Sequence, residues 1–368
     1  MRHRHLTRAY LDHASTSPAR PEVVEAMLPW LSGDHAADPG RVHTEGRMAR
    51  VAIEDAREKV ATLLGARARS VVFTSGATEA INAAVFGVDG PIVCAAVEHS
   101  AVRDASARHE VRTVPVDGGG RIDVTAVVDA LDGARLVHCQ WGNHEVGTLQ
   151  PVADVVAACR ERGVLVHIDA AAAVGHVPIA FDDLGADLVS VSAHKFGGPK
   201  GMGALLVRRG LRIEPMLVGG DQERARRAGM ENVPAIVGFG AAAEVVDVDK
   251  ESLLARQQTE RALAGALAVD GVIAYGDTTD RLPHLVCVGV EGVEAEAVLL
   301  GLDQAGVAAH SGSACSSEAL EPSPVLAAMG VDAERSLRVS VGWSTTDADI
   351  DTFLTAFPAV VERLRSLR

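Results

Sequence analysis

Aromatic side chains are scarce in this chain, at 3% of 368 residues, whereas alanine, valine and glycine abound. A core built from it must pack small aliphatic side chains, which fits a layered α/β architecture. Positive charge is scarce as well, since the formal net charge is −14 and no long basic run is present. Because nucleic-acid binding depends on clustered Lys and Arg that neutralise phosphates, this charge balance disfavours a nucleic-acid partner.

Cysteines are few, and their spacing does not form a recognisable disulfide or metal-binding motif. The chain has five, no two of which form a Cys-x-x-Cys motif: Cys94, Cys139, Cys159, Cys287 and Cys315. A disulfide framework or a zinc site is therefore disfavoured, and we expect reduced thiols in a cytoplasmic protein. The first residues are charged rather than signal-like, and no segment approaches the roughly 18 consecutive apolar residues that a membrane helix needs. The expectation is a soluble protein without membrane contact.

Short apolar runs alternate with helix-like segments through the first two-thirds of the chain. The strand candidates are 71–73, 92–96, 112–116, 136–140, 164–168, 188–192 and 204–207. The helix-like segments between them are 77–86, 101–109, 124–131 and 152–161. This alternation predicts an α/β fold with a seven-stranded, mainly parallel sheet flanked by helices. Ligands of such sheets bind outside the carboxyl ends of the strands.

A different pattern occupies the last third. An Ala-rich, charged helical stretch runs from about Pro234 to Ala268, and the strand candidates 282–290 and 337–341 then alternate with helices at 294–305 and 347–367. This pattern predicts a smaller α+β C-terminal domain. A chain of this length can form two domains. We expect a large domain at 15–250 and a small domain formed by 1–14 and 251–368, which carries the loop with Cys315.

Three reactive side chains lie at informative places. Asp169 closes a predicted strand, Lys195 follows another in Ser192-Ala193-His194-Lys195, and Cys315 ends Ser311-Gly312-Ser313-Ala314-Cys315. A carboxylate that keeps a pyridine nitrogen protonated, an amine that forms a Schiff base and a nucleophilic thiol are what a pyridoxal phosphate (PLP) enzyme needs to remove a heteroatom from an amino acid. Each residue alone is more often structural or solvated, so the argument depends on their joint occurrence.

Polar residues follow several other strands. The segment Thr74 to Glu79 opens a helix whose N–H groups could cradle a phosphate, although an ordinary helix cap is more frequent. His99 follows the strand at 92–96, where an imidazole can stack on a ring and carry protons, but a lone histidine among 14 is more often structural. Asn143 is either a site residue or a turn residue. Arg338, within an apolar strand, is either a clamp for a substrate carboxylate or a strand-edge cation.

The ordered series of these motifs resembles the cysteine desulfurases, which are PLP enzymes of the class V aminotransferase (fold type I) family. The resemblance covers nearly the whole chain, from Tyr10-Leu11-Asp12-His13-Ala14-Ser15-Thr16-Ser17-Pro18 to Cys315. The run Ser316 to Pro324 is similar to the long catalytic loop of the housekeeping-type group. The resemblance implies a homodimer that binds PLP, converts L-cysteine to L-alanine and leaves a persulfide on Cys315 for a sulfur-acceptor protein.

The roles implied by the resemblance fall on particular residues of this chain. Lys195 would be the Schiff-base lysine, Asp169 the partner of the pyridine nitrogen and His99 the ring that stacks on the cofactor. The catalytic residues would be Cys315, Lys195 and His99. The phosphate would be bound by Ala77, Thr78, Ser192 and His194. Arg338 would hold the substrate carboxylate, and Asn143 would lie near both cofactor and substrate. No metal is expected.

Two of the departures from the pattern of the family concern residues that usually bind the cofactor. Ala172 stands where a glutamine usually helps to hold the phenolic oxygen of the cofactor, and Met230 stands where a threonine usually donates to the phosphate across the dimer interface. These departures predict a specialised member. The alternatives that remain open are a selenocysteine lyase or other C–S lyase, a transaminase, and a non-catalytic subunit of a sulfur-transfer complex.

Overall fold

The chain folds into sheets of seven, three and two strands with helices around them, in a computed structural model that describes residues 8–32, 35, 37–311 and 322–367. Within these ranges the strands are β1 (Ala9–Tyr10), β2 (Val71–Thr74), β3 (Ile92–Ala95), β4 (Val111–Val114), β5 (Leu136–Gln140), β6 (Leu165–Asp169), β7 (Leu188–Ser192), β8 (Gly203–Val207), β9 (Val272–Tyr275), β10 (Leu285–Val290), β11 (Val307–Ala308) and β12 (Ser336–Ser340).

The helices alternate with these strands along the chain. They are α1 (Pro21–Leu31), α2 (Thr44–Leu63), α3 (Ala77–Phe86), α4 (Ser100–Ser106), α5 (Val124–Ala130), α6 (Val152–Arg162), α7 (Phe181–Leu184), α8 (Gln222–Ala225), α9 (Val233–Val245), α10 (Val248–Leu267), α11 (Ala295–Gln304), α12 (Pro324–Ala328) and α13 (Asp347–Ser366). In the part of the chain that the structure describes, no helix combines the length and the apolarity that a membrane span needs.

The large sheet has seven strands in the order β2-β8-β7-β6-β5-β3-β4, and only β8 runs against the other six. The predicted seven-stranded, mainly parallel sheet is therefore confirmed, with strand bounds that shift by at most one or two residues. Gln140 and Asp169 are register partners at the ends of β5 and β6. Because six strands share one direction, their carboxyl ends lie at a single edge of the sheet.

The predicted helical stretch from 234 to 268 is helical over most of its length, but it is divided into two helices. Val246 has an extended backbone and ends α9, and the side chain of Asp247 accepts a hydrogen bond from the Lys250 N–H to begin α10. Capping of this kind satisfies a free N–H group in the first turn of a helix. An Ala-rich composition is compatible with helix on both sides and does not reveal the break.

A second hydrophobic core lies around the small sheet, in which β10 pairs antiparallel with both β9 and β12. Strand β1 pairs in parallel with β11, so the first residues join the last third of the chain. The proposed domain bounds of 15–250 and of 1–14 with 251–368 stay a prediction. Tyr275, Leu285 and Cys287 of the small sheet pack into the core of the large one, so the two units share an apolar contact.

A left-handed turn near the large sheet is held by a buried ion pair. Glu223, Arg224 and Ala225 have φ values of 49°, 59° and 60°, and for residues with a Cβ this conformation costs about 1–2 kcal/mol each. The Arg57 guanidinium donates to Glu223 Oε2 at 2.6 Å and to Oε1 at 2.8 Å, and Oε2 also accepts from the Phe73 N–H at 3.0 Å. This pair fixes the turn against β2.

Candidate active site

A cavity of about 240 Å³ opens at the carboxyl ends of β5, β6 and β7 and beside the N-terminus of α3. Seven of the residues predicted from sequence line it: Ala77, Thr78, His99, Asp169, Ser192, His194 and Lys195. Cavities of about 310 and 500 Å³ occur elsewhere, but the convergence of an amine, a carboxylate, imidazoles and a helix N-terminus distinguishes this one. Among the described residues, no cluster of three or more His, Cys, Asp or Glu could hold a metal ion.

Lys195 lies in a short 3₁₀ turn that follows β7 directly. Its Nζ donates to the carbonyl oxygens of Ala14 at 2.6 Å and Ser15 at 3.2 Å. The same N-terminal segment returns a bond to the turn, because the Ser17 N–H donates to the His194 carbonyl at 2.9 Å. Residues that precede α1 therefore position an amine that lies 180 and 181 positions later in the chain.

Asp169 is the last residue of β6 and is 8% exposed. Its Oδ1 accepts hydrogen bonds from the Ala171 N–H at 3.0 Å and from the Ser190 hydroxyl at 3.3 Å. Burial raises the pKa of this carboxyl, and the hydrogen bond from Ala171 opposes that effect. A positive charge beside a buried carboxylate stabilises its ionised form, because the charge offsets the cost of burying the negative group.

The N-terminus of α3 forms an anion-binding surface at the cavity. Its N-cap residue is Gly76, which offers no side chain, and the Ala77 N–H donates to the Ser192 hydroxyl at 3.1 Å. First-turn N–H groups and the helix dipole favour negative charge at this position. Strand β8 approaches closely here, since a Cβ on Gly203 would lie 2.7 Å from the Gly76 Cα.

His99 caps α4 with its ring. The Ala101 N–H donates to His99 Nδ1 at 3.0 Å, and the ring lies edge-on to that of His144, with centroids 4.9 Å apart. Burial lowers the pKa of His99 to about 3, and nearby positive charges add to the effect. The ring is therefore neutral at physiological pH, with its proton on Nε2 because Nδ1 is the acceptor.

Two predicted residues do not line the cavity. Asn143 is fully buried, and its amide binds backbone groups: Oδ1 accepts from the N–H groups of Glu145 and Val146, and Nδ2 donates to the Val97 carbonyl. Arg338 donates from Nη2 to Asp12 and Ser15 and from Nη1 to the His144 carbonyl, while its buried Nε has no hydrogen-bond partner in the described ranges.

The predicted nucleophile, Cys315, lies outside the described residues, as does most of the run Ser316 to Pro324 that resembles a long catalytic loop. The other four cysteines are free thiols and all are buried. Burial raises the pKa of Cys94, Cys159 and Cys287 to about 12, and it raises that of Cys139 as well. Because the thiolate is the reactive form, these four are poorly suited to attack a substrate.

Two cavity groups escaped the sequence prediction. His144 lines the cavity directly after Asn143, and its position after a strand was the available signal. Glu98 lies beneath the cavity, where Oε1 accepts from the Gln140 N–H at 2.8 Å and Oε2 has no hydrogen-bond partner among the described residues. Burial, and then repulsion from Asp169, raise the pKa of Glu98 to about 8.

The two departures from the family pattern lie in different surroundings. Ala172 lines the cavity, so its methyl group stands at the wall where a hydrogen-bonding side chain is usual in the family. Met230 is 65% exposed, near a smaller cavity of about 140 Å³ that Thr74 and Ser75 also line. Its thioether is not a hydrogen-bond donor.

Comparison with known proteins gives a consistent result. The model of the family Aminotransferase class-V matches residues 9–353. The chain is 38% identical over 376 residues to "Cysteine desulfurase IscS 1" of Archaeoglobus fulgidus, covering 97% of this chain and 98% of that protein. A solved "NIFS-LIKE PROTEIN" superposes with a TM-score of 0.91 at 30% identity, over 97% of this chain and 100% of the other. The structure "SspA in complex with cysteine" gives a TM-score of 0.82 at 31% identity, over 90% and 98%. The chain therefore belongs to the class-V aminotransferase family and, within that family, to the cysteine desulfurases.

Proposed function

We propose that this enzyme uses PLP to transfer the sulfur of L-cysteine to Cys315, with release of L-alanine. The observation that carries the proposal is the placement of Lys195, Asp169 and His99 around one cavity at the N-terminus of α3, in a chain related to proteins named cysteine desulfurase. The similar protein SspA was solved in complex with cysteine, which supports the class of substrate.

The chemical groups around the cavity are of the types that would bind PLP. A phosphate would suit the N-terminus of α3, near the hydroxyl groups of Thr78 and Ser192. A cationic ring nitrogen would suit Asp169, whose pKa burial raises. Lys195 provides the amine for a covalent link to the aldehyde, and His99 provides a flat ring. When bound, PLP supplies a ring that withdraws electrons from the amino acid.

The residues of the chain would bind the substrate and move its protons. Nζ of Lys195, beside the carbonyls of Ala14 and Ser15, would take the proton from Cα. The buried Nε of Arg338, which has no hydrogen-bond partner in the described ranges, is a donor suited to the substrate carboxylate. Asn143 would keep the turn after β5 in shape, because its Oδ1 accepts from two backbone N–H groups and its Nδ2 donates to the Val97 carbonyl.

Sulfur transfer to Cys315 balances without an added oxidant. A bond forms between the two sulfur atoms while the bond between Cβ and the substrate sulfur breaks, and Cβ gains a proton. The substrate carbon is reduced to the methyl group of L-alanine, and the transferred sulfur ends as a persulfide. The thiols of Cys94, Cys139, Cys159 and Cys287 are buried, which supports Cys315 as the acceptor. A sulfur-acceptor protein would then remove the sulfur, in the reducing cytoplasm that free thiols favour.

A homodimer is part of the proposal, because large apolar side chains are exposed on α1, on α2 and in several loops. Val42, Val218 and Met230 are 85%, 80% and 65% exposed. Others lie on α1 and α2: Val24, Leu28, Leu31, Met48 and Val51. Exposed apolar groups in such number favour a protein–protein contact. Light scattering after size exclusion should give the mass of two chains, and a monomer at micromolar concentration would overturn this part.

The test of the function measures alanine and protein-bound persulfide after L-cysteine is added to the PLP-loaded enzyme. The wild type should form both in equal amount, with the persulfide mapped to Cys315 by mass spectrometry. Cys315→Ser should lose both while keeping the absorbance of bound PLP, and Cys159→Ala is the matched control that should keep both. Alanine that persists in Cys315→Ser would indicate a C–S lyase instead. Amino-group transfer to a keto acid, or bound PLP without any product, would also contradict the proposal.

A further inference from the structure

An ion pair joins the first turn of α3 to the segment 227–230. Arg227 donates from Nε to Glu79 Oε1 at 2.9 Å and from Nη2 to Glu79 Oε2 at 3.3 Å. The same Oε2 accepts from the Ser75 N–H at 2.7 Å. The glutamate side chain is 10% exposed and the arginine side chain 26%. The pair therefore ties the residues at the start of α3 to a residue 148 positions later in the chain.

Both members of this pair are ionised at neutral pH. Burial raises the pKa of Glu79, but the hydrogen bonds from Arg227 and Ser75 outweigh burial and bring the pKa below its ordinary value. The hydrogen bond to Glu79 raises the pKa of Arg227 against the effect of burial, and the negative charges of Glu223 and Glu231 act in the same direction as the bond. A full negative charge at α3 is thus matched by a full positive charge.

Glu79 lies in the turn of α3 that would bind the phosphate of the cofactor. It is the third residue of the helix, directly after Ala77 and Thr78. First-turn N–H groups and the helix dipole attract any anion, whether a phosphate or a carboxylate. Because one helical turn rises only about 5.4 Å, a phosphate at this N-terminus and an unpaired carboxylate at Glu79 would repel each other. A cation beside the carboxylate removes that repulsion.

The segment 227–230 acts on this region through one side chain. Arg227, Gly229 and Met230 line a cavity of about 140 Å³ together with Thr74 and Ser75, which precede α3. Met230 stands where the family usually has a threonine that donates to the phosphate, and a thioether cannot donate. Of the four residues in the segment, only Arg227 has a side chain that is charged or that donates a hydrogen bond.

We propose that Arg227 is a positioning residue for the phosphate group of the cofactor. Its two hydrogen bonds hold Glu79, which in turn holds the Ser75 N–H. Its charge cancels that of Glu79, so that a phosphate dianion can bind at the same turn of α3. The inference rests on the proposed function, since it takes PLP as the cofactor. It concerns the phosphate and neither the ring nor the aldehyde, so a cofactor without phosphate should not depend on Arg227.

The first test compares the binding of PLP with that of pyridoxal, which has the same ring and aldehyde but no phosphate. Dissociation constants are measured by absorbance titration of the full-length protein freed of cofactor, without L-cysteine. Arg227→Met should weaken PLP binding by about tenfold or more and change pyridoxal binding by less than about twofold. Arg227→Lys keeps the charge but not the fork of two donors, and it should recover part of the affinity.

The matched control for Arg227→Met is Arg208→Met. The Nε of Arg208 also pairs with a carboxylate, that of Asp187 at 2.6 Å, but the pair lies at the opposite edge of the large sheet, after β8 and before β7. This variant loses an ion pair of the same kind without changing the charge near α3. It should leave the dissociation constants of PLP and of pyridoxal unchanged.

The second test distinguishes cancellation of charge from support of the fold. Glu79→Gln keeps an oxygen for the Ser75 N–H but carries no charge. Added to Arg227→Met, it should restore PLP binding to within about threefold of the wild type, because no unpaired carboxylate remains. ³¹P NMR of bound PLP gives an independent readout, since the second ionisation of a phosphate lies near pH 6 in water. This ionisation should move to higher pH in Arg227→Met and return towards the wild-type position in the double variant.

The outcomes separate this inference from the proposed function. If Arg227→Met leaves PLP binding unchanged, or weakens PLP and pyridoxal to the same extent, the inference is overturned and the proposed function stands. The same holds if Glu79→Gln fails to restore PLP binding to the Arg227→Met protein. If the wild type binds PLP but forms no alanine from L-cysteine, the proposed function fails, whereas the binding comparison still decides the role of Arg227. A wild type that does not bind PLP would overturn both.

Discussion

The protonation of Glu98 in the folded protein offers a quantitative test of the electrostatics beneath the cavity. The side chain is fully buried, and burial together with Asp169 raises its pKa from 4.5 to about 8. At pH values between 4.5 and about 8, Glu98 keeps its proton in the folded protein but has lost it in the unfolded chain. The free energy of unfolding must therefore fall as the pH rises from 4.5 towards 8, because the native state binds the extra proton.

The size of the effect follows from the two pKa values. Each unit of difference corresponds to about 1.36 kcal/mol. With values of 4.5 and about 8, raising the pH from 5 to 8 lowers the free energy of unfolding by about 3–4 kcal/mol at this site. Glu98→Gln keeps an oxygen for the Gln140 N–H but cannot ionise. The stability of this variant relative to the wild type should therefore increase by the same amount over that range.

The assay is urea denaturation of wild type and Glu98→Gln at pH 5, 6, 7 and 8, followed by circular dichroism. The difference between the two proteins is compared across pH, so that any constant cost of the amide cancels. Glu334→Gln, at an exposed position, is the matched control and should give a difference that does not change with pH. A flat difference for Glu98→Gln would refute the reasoning, because Glu98 would then ionise in the folded protein as it does in the unfolded chain.

Two further predictions concern the framework of the site. Arg57→Met leaves the Glu223 carboxylate buried without the partner that lies 2.6 Å away. Urea denaturation at pH 7 should therefore show that the free energy of unfolding falls by about 3–5 kcal/mol, and adding Glu223→Leu should recover part of this loss. A loss below about 1 kcal/mol would contradict the role of the pair. Gly203→Ala places a Cβ 2.5 Å from the Val191 carbonyl oxygen and 2.7 Å from the Gly76 Cα. The substitution should push β8 away from β7 and from the N-terminus of α3, and should weaken PLP binding about tenfold or more in an absorbance titration, equivalent to about 1.4 kcal/mol. Its control is Gly118→Ala, where nothing lies within 4 Å of the new Cβ, and equal affinities for the two variants would count against the close approach of β8.

The large sheet was predictable because each of its strands is a short apolar run followed by polar or turn-forming residues. The run from Leu165 to Ile168 is buried except at its first residue, and Asp169 ends it where the chain leaves the sheet. Such a boundary is local, so sequence alone places the carboxylate at the correct edge. The break between α9 and α10 is local too, but its signal is a single cap at Asp247 within a stretch whose composition favours helix throughout.

The orientation of Asn143 was beyond local prediction. Asn143 and His144 are adjacent in one turn, and only the path of the backbone decides which of them faces the cavity. The Asn143 Oδ1 accepts two backbone N–H groups of the same turn, so the asparagine stabilises the turn that presents His144. The type of a residue and its place after a strand are readable in the sequence, whereas the direction of its side chain depends on contacts made after the chain has folded.

Arg338 is a buried cation that pairs with a carboxylate of the protein itself. Its partner, Asp12, is 326 positions away in the chain, and the pair is made at 2.9 Å because the backbone at Asp12, just after β1, bridges to Ser340 at the end of β12. Removing one partner of a buried pair is costly, since it leaves an uncompensated charge. If a substrate carboxylate binds Arg338, as we propose, it exchanges one carboxylate for another and leaves the charge of the arginine balanced. Asp12 is 20% exposed against 3% for the arginine, so the anion that is displaced is the one with access to water. Because Asp12 is the more exposed partner, we expect the substrate carboxylate to replace Asp12, while the His144 carbonyl holds the arginine in place.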